Sequence, residues 1–239
     1  MCGRITQFTP MEQLAAKFGA SPAAGDPLPP RYNVAPTTQL YLVEPTKTGD
    51  RALHAARWGL ELSPQSDSKR PWFNGRSEQL DNKSGAGRVY RRLIERGRCV
   101  VPFEFFYEWQ EVEKAKQPWA ISLDADGPHA LAGLMAAYQD DEGELVRSCL
   151  VMTVEANALM AHIHNAGGNR HRMPVILRGD DIDTWLDPAA SGEAAADLLL
   201  PLPDDGSLMA RPVSANVSKR VNDASNLDPI GETIHHPPE

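Results

Sequence analysis

Long apolar runs are missing from the 239 residues: none approaches the ~20 that a membrane-spanning helix needs, and the N-terminus has no apolar signal-peptide core. The expectation is a soluble, cytoplasmic protein. Cysteine is scarce. Cys2, Cys99 and Cys149 are odd in number, far apart and form no CxxC pair, so neither a disulfide framework nor a zinc site is expected. There is no P-loop, dinucleotide fingerprint, GxSxG elbow or HExxH helix, which removes the common nucleotide-binding, serine-hydrolase and metalloprotease readings. Repeats and an obvious linker are also absent, so a single domain over residues 2–239 is expected, with the order of the acidic tail from Asn226 left open.

What is present fits a core-forming chain rich in turns. Hydrophobic residues make up 41%, with 20 prolines and 18 glycines, which argues for many short elements over a helix bundle. The net charge of -8 alone speaks against bulk nucleic-acid binding. The charge is uneven, however. From Lys69 to Arg98 there are nine basic residues (Lys69, Arg70, Arg76, Lys83, Arg88, Arg91, Arg92, Arg96, Arg98) against three acidic ones (Glu78, Asp81, Glu95), whereas the region after residue 178 is strongly acidic. A basic face on an acidic protein is compatible with a phosphate-bearing partner.

Local patterns predict the elements. Thr9-Pro10-Met11-Glu12 reads as a capping box with proline at the first helical position, and Met11, Leu14, Ala15 and Phe18 follow at helical spacing up to Gly19. Strands are expected at about 39–43, 52–58, 99–109, 118–123, 130–138, 146–155, 174–177 and 211–217, with Pro102 marking a bulge or an edge position. Helices are expected at 88–96, from an Asn157 cap to about His164, and at 180–186 and 191–200. Arg88, Arg92 and Arg96 share one helical face, either solvated or facing phosphate. Residues 61–72 and 165–172 read as loops. Many short strands among a few helices give an α+β fold with a curved, barrel-like, mainly antiparallel sheet flanked by short helices.

Four positions can carry chemistry. If Met1 is removed, Cys2 presents an amine (pKa about 8) and a thiol (about 8.5) on adjacent carbons. An aldehyde forms an imine with such an amine, and the thiol closes it into a thiazolidine; the alternative is an accidental cysteine in a disordered terminus. Glu108 sits between Tyr107 and Trp109, where apolar surroundings would raise its pKa and suit it to proton transfer. Glu104 has the same strand parity, so spacing does not choose between them. His162 and His164 form an H-x-H pair with His171 nearby; one catalytic imidazole fits better than a metal site, because no carboxylate is grouped with them. Asn74-Gly75 is a turn signal, or else its amide and Arg76 serve as oxyanion and phosphate partners.

In order, Met1-Cys2-Gly3-Arg4, Arg31-Tyr32-Asn33-Val34-Ala35-Pro36, Trp58-Gly59-Leu60, Asn74-Gly75-Arg76-Ser77-Glu78, Phe106-Tyr107-Glu108-Trp109, Ile163-His164-Asn165, Arg172-Met173-Pro174, Pro212-Val213-Ser214 and Val221-Asn222 resemble the motifs of the SRAP (SOS response-associated peptidase) family, the shield proteins for abasic sites in single-stranded DNA. The resemblance spans nearly the whole chain. It implies a single α+β domain with a basic DNA channel, and loss of Met1. It also implies a thiazolidine crosslink between Cys2 and the ring-opened abasic sugar. By the same resemblance Glu108 shuttles protons, His164 assists imine formation and reversal, Asn74 positions the sugar or the Cys2 amine, and Gly3 leaves room for the sugar. Arg4 and Arg76 hold phosphates, and Arg172, Asn33 and Pro36 join the DNA-binding set. No cofactor or metal is implied. The partner is single-stranded DNA containing abasic sites, bound by a monomer that is nucleoid-associated while on DNA, with no membrane involved. A cysteine-type peptidase acting at Met1 is the alternative.

Three departures from the family pattern stand out. Gly75 replaces the usual alanine and should loosen a turn. The 61–72 loop lacks the usual tryptophan wedge, for which Trp72 is the substitute, stacking on a base for roughly 1–3 kcal/mol. The His164–Arg172 segment is longer than the family leads one to expect and adds His171 as a second candidate; His164 is preferred because it carries the motif.

Overall fold

Runs of β-branched and aromatic residues dictate a strand-dominated architecture. The computed structural model describes residues 2–25, 27–66 and 71–238; Met1, Lys69 and Arg70, named above, lie outside them. The chain begins with β1 (Ile5–Gln7), α1 (Met11–Phe18), β2 (Ala20–Pro22), β3 (Arg31–Val34), β4 (Gln39–Pro45) and β5 (Arg51–Trp58). It continues with β6 (Asn74–Arg76), α2 (Gly85–Arg96), β7 (Arg98–Phe103), β8 (Phe106–Val112), β9 (Ala115–Leu123) and β10 (His129–Gln139). β11 (Leu145–Glu155), α3 (Ala158–Ile163), β12 (Arg172–Pro174), β13 (Ile176–Leu177), α4 (Asp180–Leu186), α5 (Gly192–Ala196) and β14 (Leu208–Pro212) complete it, with 3-10 turns at Ser77–Asp81, Ala215–Lys219 and Ala224–Leu227.

One sheet has the order β14-β9-β8-β1-β3; the larger follows β12-β11-β10-β7-β4-β5-β2, with β13 on β10 and β6 on β11. Most neighbours are antiparallel, the parallel pairs being β2–β5, β5–β11 and β6–β11. The α+β class, with mainly antiparallel barrel-like sheet and few short helices, is as expected. Ile5, Leu40, Leu42, Phe103, Phe106, Ile121 and Leu131 are fully buried in one core, where each such side chain contributes about 1.5–3 kcal/mol.

The run read as one strand over 99–109 is two strands in different sheets, and Glu104 stands at the corner. Its buried carboxylate accepts from Thr6 Oγ1 at 3.0 Å and from the amides of Phe8 and Thr9 at 3.1 Å. This corrects the capping box: the Thr9 amide is held by Glu104, and α1 starts behind Pro10 with no side-chain cap. Gly19 does close that helix, in the left-handed conformation that glycine adopts without strain. Replacing Glu104 by alanine would strand one buried and two part-buried donors, and we expect a loss of about 3 kcal/mol in denaturant unfolding.

Pro102 has a local explanation. β7 pairs regularly with β10, but meets β4 only at Val43–Val100. Past that point the Gln7 amide fills the gap, donating to Tyr41 O at 2.9 Å and Pro102 O at 2.8 Å and accepting from Tyr41 N at 2.7 Å. Proline is tolerated there because its neighbour is a side chain that needs only a carbonyl.

Other boundaries moved. The strand expected at 211–217 ends at Pro212, because Ser214 caps the 3-10 turn that follows. The helix expected at 191–200 stops at Ala196. Beyond Asn226, which is buried, Ile234 bridges to Ala210.

Candidate active site

β1 lies between β3 and β8, so the residues before it are drawn in beside β8. The Tyr107 amide donates to Arg4 O at 2.9 Å, which sets Cys2 near the next residue of that strand, Glu108. Cys2 is fully buried, its thiol 4.0 Å from Arg4 O. Burial, and then the Glu108 carboxylate, push this thiol far above the ordinary cysteine range.

Asn74 reaches Cys2 from the larger sheet, its Nδ2 donating to Cys2 O at 2.8 Å. The Asn74-Gly75 turn is corrected here. The segment is β6, paired in parallel with Val151, Met152 and Thr153 of β11. Strand alternation then puts Asn74 and Arg76 on one face and Gly75 on the other. A Cβ at Gly75 would fall 2.9 Å from Met152 Sδ, 3.0 Å from Leu150 Cδ1 and 3.3 Å from Tyr90 Cζ. The glycine reflects close packing rather than a loose turn.

His164 caps α3, its amide bonded to Met160 O at 2.7 Å. The nearer partner of its Nδ1 is Arg172 O at 3.1 Å, an acceptor, so we assign the proton to Nδ1 and leave Nε2 toward Glu108 Oε2, 3.9 Å away. Burial lowers the imidazole pKa, and the Glu108 charge opposes the shift. The arrangement is therefore a buried thiol, a buried carboxylate and an imidazole that is neutral at neutral pH, an array suited to moving protons.

The two sequence ambiguities separate in space. Glu104 is tied to the β1 backbone, whereas Glu108 faces Cys2 and His164. His171, at φ 57°, lines a different cleft with Arg76, Glu78 and Arg172. His162 bonds Gln110 at 2.8 Å, and among the described residues no three His, Cys, Asp or Glu side chains group as a metal site.

Two clefts of about 760 and 530 Å³ meet at Arg4, His164 and Gly167. Gly3, Pro36, Phe73, Asn169 and Arg220 line the larger; Glu108, Trp109, Lys116 and Ser218 line the smaller. The proposed DNA-binding residues divide. Arg4 and Pro36 open on the larger cleft. Arg76 bonds Asn169 Oδ1. Trp72 is 41% exposed, edge-on to Tyr90 at 6.0 Å. Arg172, expected in the DNA-binding set, donates to Glu78 at 2.7 and 2.9 Å and to Thr153 O at 2.8 Å. Asn33 is buried and donates to Val217 O and Val221 O.

Trp109, Asn169, Ser218 and Arg220 were not singled out from sequence as site residues. Arg220 had one signal, a Lys-Arg pair within the acidic region after residue 178. Among the described residues, no helix is long and apolar enough to cross a membrane.

Comparison with known proteins places these observations. Residues 1–220 match the model of the SOS response associated peptidase (SRAP) family. The chain is 30% identical over 231 residues to the Bacillus subtilis abasic site processing protein YoqW, covering 95% of this chain and 98% of that protein. It is 31% identical over 233 residues to the abasic site processing protein YoaM of the same organism, covering 95% and 97%. A crystal structure of a Bacteroides thetaiotaomicron protein superposes with a TM-score of 0.82 at 23% identity, covering 95% of this chain and 99% of that one, which speaks to the fold. By its sequence, this chain belongs to the SRAP family.

Proposed function

We propose that this protein acts on abasic sites in DNA, as the names of its relatives say of them, and that it does so by binding single-stranded DNA and joining the lesion to Cys2. Once Met1 is gone, the Cys2 amine adds to the C1 aldehyde of the ring-opened deoxyribose. The carbinolamine loses water to give an imine. The thiol sulfur then bonds to the imine carbon while its proton passes to nitrogen, closing a thiazolidine. The net loss is one water.

Glu108 moves protons in sugar ring opening and in thiol addition, His164 assists imine formation and reversal, and the Asn74 amide holds the Cys2 carbonyl and so fixes the residue beside Gly3 and Arg4 of the cleft. The observation that carries this reading is the convergence on Cys2 of side chains from β6, β8 and the end of α3, at the junction of two clefts with arginine on their walls. An unpaired, base-less sugar enters without the cost of flipping a base.

The test is a denaturing gel. The Met1-processed protein is incubated with a single-stranded oligonucleotide carrying either an abasic site or its tetrahydrofuran analogue, which has no aldehyde. A denaturation-resistant adduct with the first only is expected; none with either overturns the reading. The peptidase reading, carried by the family name, instead expects turnover of a peptide by the pure protein.

A further inference from the structure

Arg220 shares the larger cleft with Arg4 and has no role so far. It is exposed, and among the described residues neither it nor Arg4 forms a salt bridge. The two guanidiniums are close enough to repel: after burial, the charge of Arg220 is what lowers the Arg4 pKa. Arg4 Nε is buried with no hydrogen-bond partner. Of the other basic groups nearby, Arg172 is paired with Glu78 and Arg76 is hydrogen-bonded to Asn169.

The backbone holds Arg220 in place. Its φ of 60° and ψ of 23° are left-handed, rare for a residue with a Cβ. Asn33 brackets it, donating to Val217 O at 2.9 Å and Val221 O at 3.1 Å, and Asn222 Oδ1 accepts from Tyr32 N at 2.6 Å. Two unanswered like charges facing one cleft in a protein of net charge -8 call for an anion between them. Planar guanidinium forks match the paired oxygens of a phosphate.

We propose that Arg220 is a second phosphate-binding residue of this cleft, so that one backbone phosphodiester of the bound strand is held between its guanidinium and that of Arg4. The proposal rests on the reading of the cleft as a single-stranded-DNA site. It also gives the buried Asn33 a positioning role, as the clamp that sets Arg220.

The experiment measures non-covalent binding of an undamaged single-stranded oligonucleotide by anisotropy, over about 50 to 200 mM salt. Wild type, Arg220→Lys and Arg220→Gly are compared; glycine accepts the left-handed conformation, so folding is preserved. Loss of one phosphate contact should flatten the slope of log affinity against log salt by about 0.7 in Arg220→Gly. Arg220→Lys should recover most of the slope but only part of the affinity, since it restores charge without the fork. An unchanged slope in Arg220→Gly, with wild type binding normally, overturns this inference alone. A wild-type protein that does not bind overturns the underlying reading and this inference with it. Inorganic phosphate at matched ionic strength should compete weakly; competition as strong as that of the oligonucleotide would identify a free-phosphate site and overturn the strand contact.

Discussion

Cys2→Ala protein is expected to give no denaturation-resistant adduct with an abasic single-stranded oligonucleotide, a fall from stoichiometric yield to background. The alanine keeps the N-terminal amine, so the imine still forms. It has no sulfur to close the ring, and an open imine hydrolyses when the protein is denatured. Borohydride during the incubation should therefore recover an adduct from Cys2→Ala as a stable secondary amine. A variant that keeps a residue ahead of Cys2 has its free amine on a different residue from the thiol and should form no thiazolidine, so without borohydride it should give no denaturation-resistant adduct. The two variants thus separate the two bonds that the α-amine and the thiol make. The alanine change is small in volume, and Asn74 bonds the backbone carbonyl of residue 2, so the anchor survives it. Wild-type yield from Cys2→Ala without reductant would eliminate the thiazolidine mechanism. Intact mass of the starting protein, showing loss of Met1, completes the measurement.

Much of the fold could be read locally, and the misreadings have a common cause. The β11 strand follows from its β-branched residues and the short α3 helix from the Asn157 cap, whose Oδ1 accepts from Met160 N at 3.0 Å. Asn74-Gly75 looked like a turn because the local dipeptide says so; it is a strand because β11, some 75 residues onward, offers it a parallel edge. Thr9 looked like the start of a capping box, but its amide is taken by Glu104, 95 residues away, instead of Glu12. Arg172 and Asn33 entered the DNA-binding set through the family resemblance, and their partners within the chain, Glu78 and the 217–221 backbone, were not visible from spacing. Glu104 and Glu108 share strand parity and differ only because the chain changes sheet between them. The geometry around Cys2 is long-range in the same way: spacing could nominate Glu108, His164 and Asn74, and only tertiary pairing brings them together.

Glu108→Gln is expected to slow crosslink formation by about 10²–10⁴-fold at neutral pH, the usual range for losing a positioned proton-transfer group. The pH profile tells this role from a structural one. In the wild type the thiol pKa is far above neutral, so sulfur must give up its proton to a base as it attacks. With the carboxylate present, the rate should level off once the Cys2 amine is deprotonated, above about pH 8, because Glu108 and not hydroxide takes the thiol proton. It should fall as the solution is acidified below the usual histidine range, since burial sets the His164 pKa below its ordinary value and a protonated imidazole no longer accepts. In Glu108→Gln two changes act together. The base is gone, so the rate should climb with pH as the thiol ionises unaided. The negative charge that raised the thiol pKa is also gone, so that climb should begin at lower pH than burial with the carboxylate would allow. Because Glu108 also raises the His164 pKa, the acid limb should move further toward low pH in the variant. Single-turnover kinetics from pH 5 to 10, with the unfolding midpoint checked alongside, would measure all three features. A Glu108→Gln profile parallel to wild type would reduce Glu108 to a structural group like Glu104, and wild-type rates at neutral pH would remove it from the mechanism.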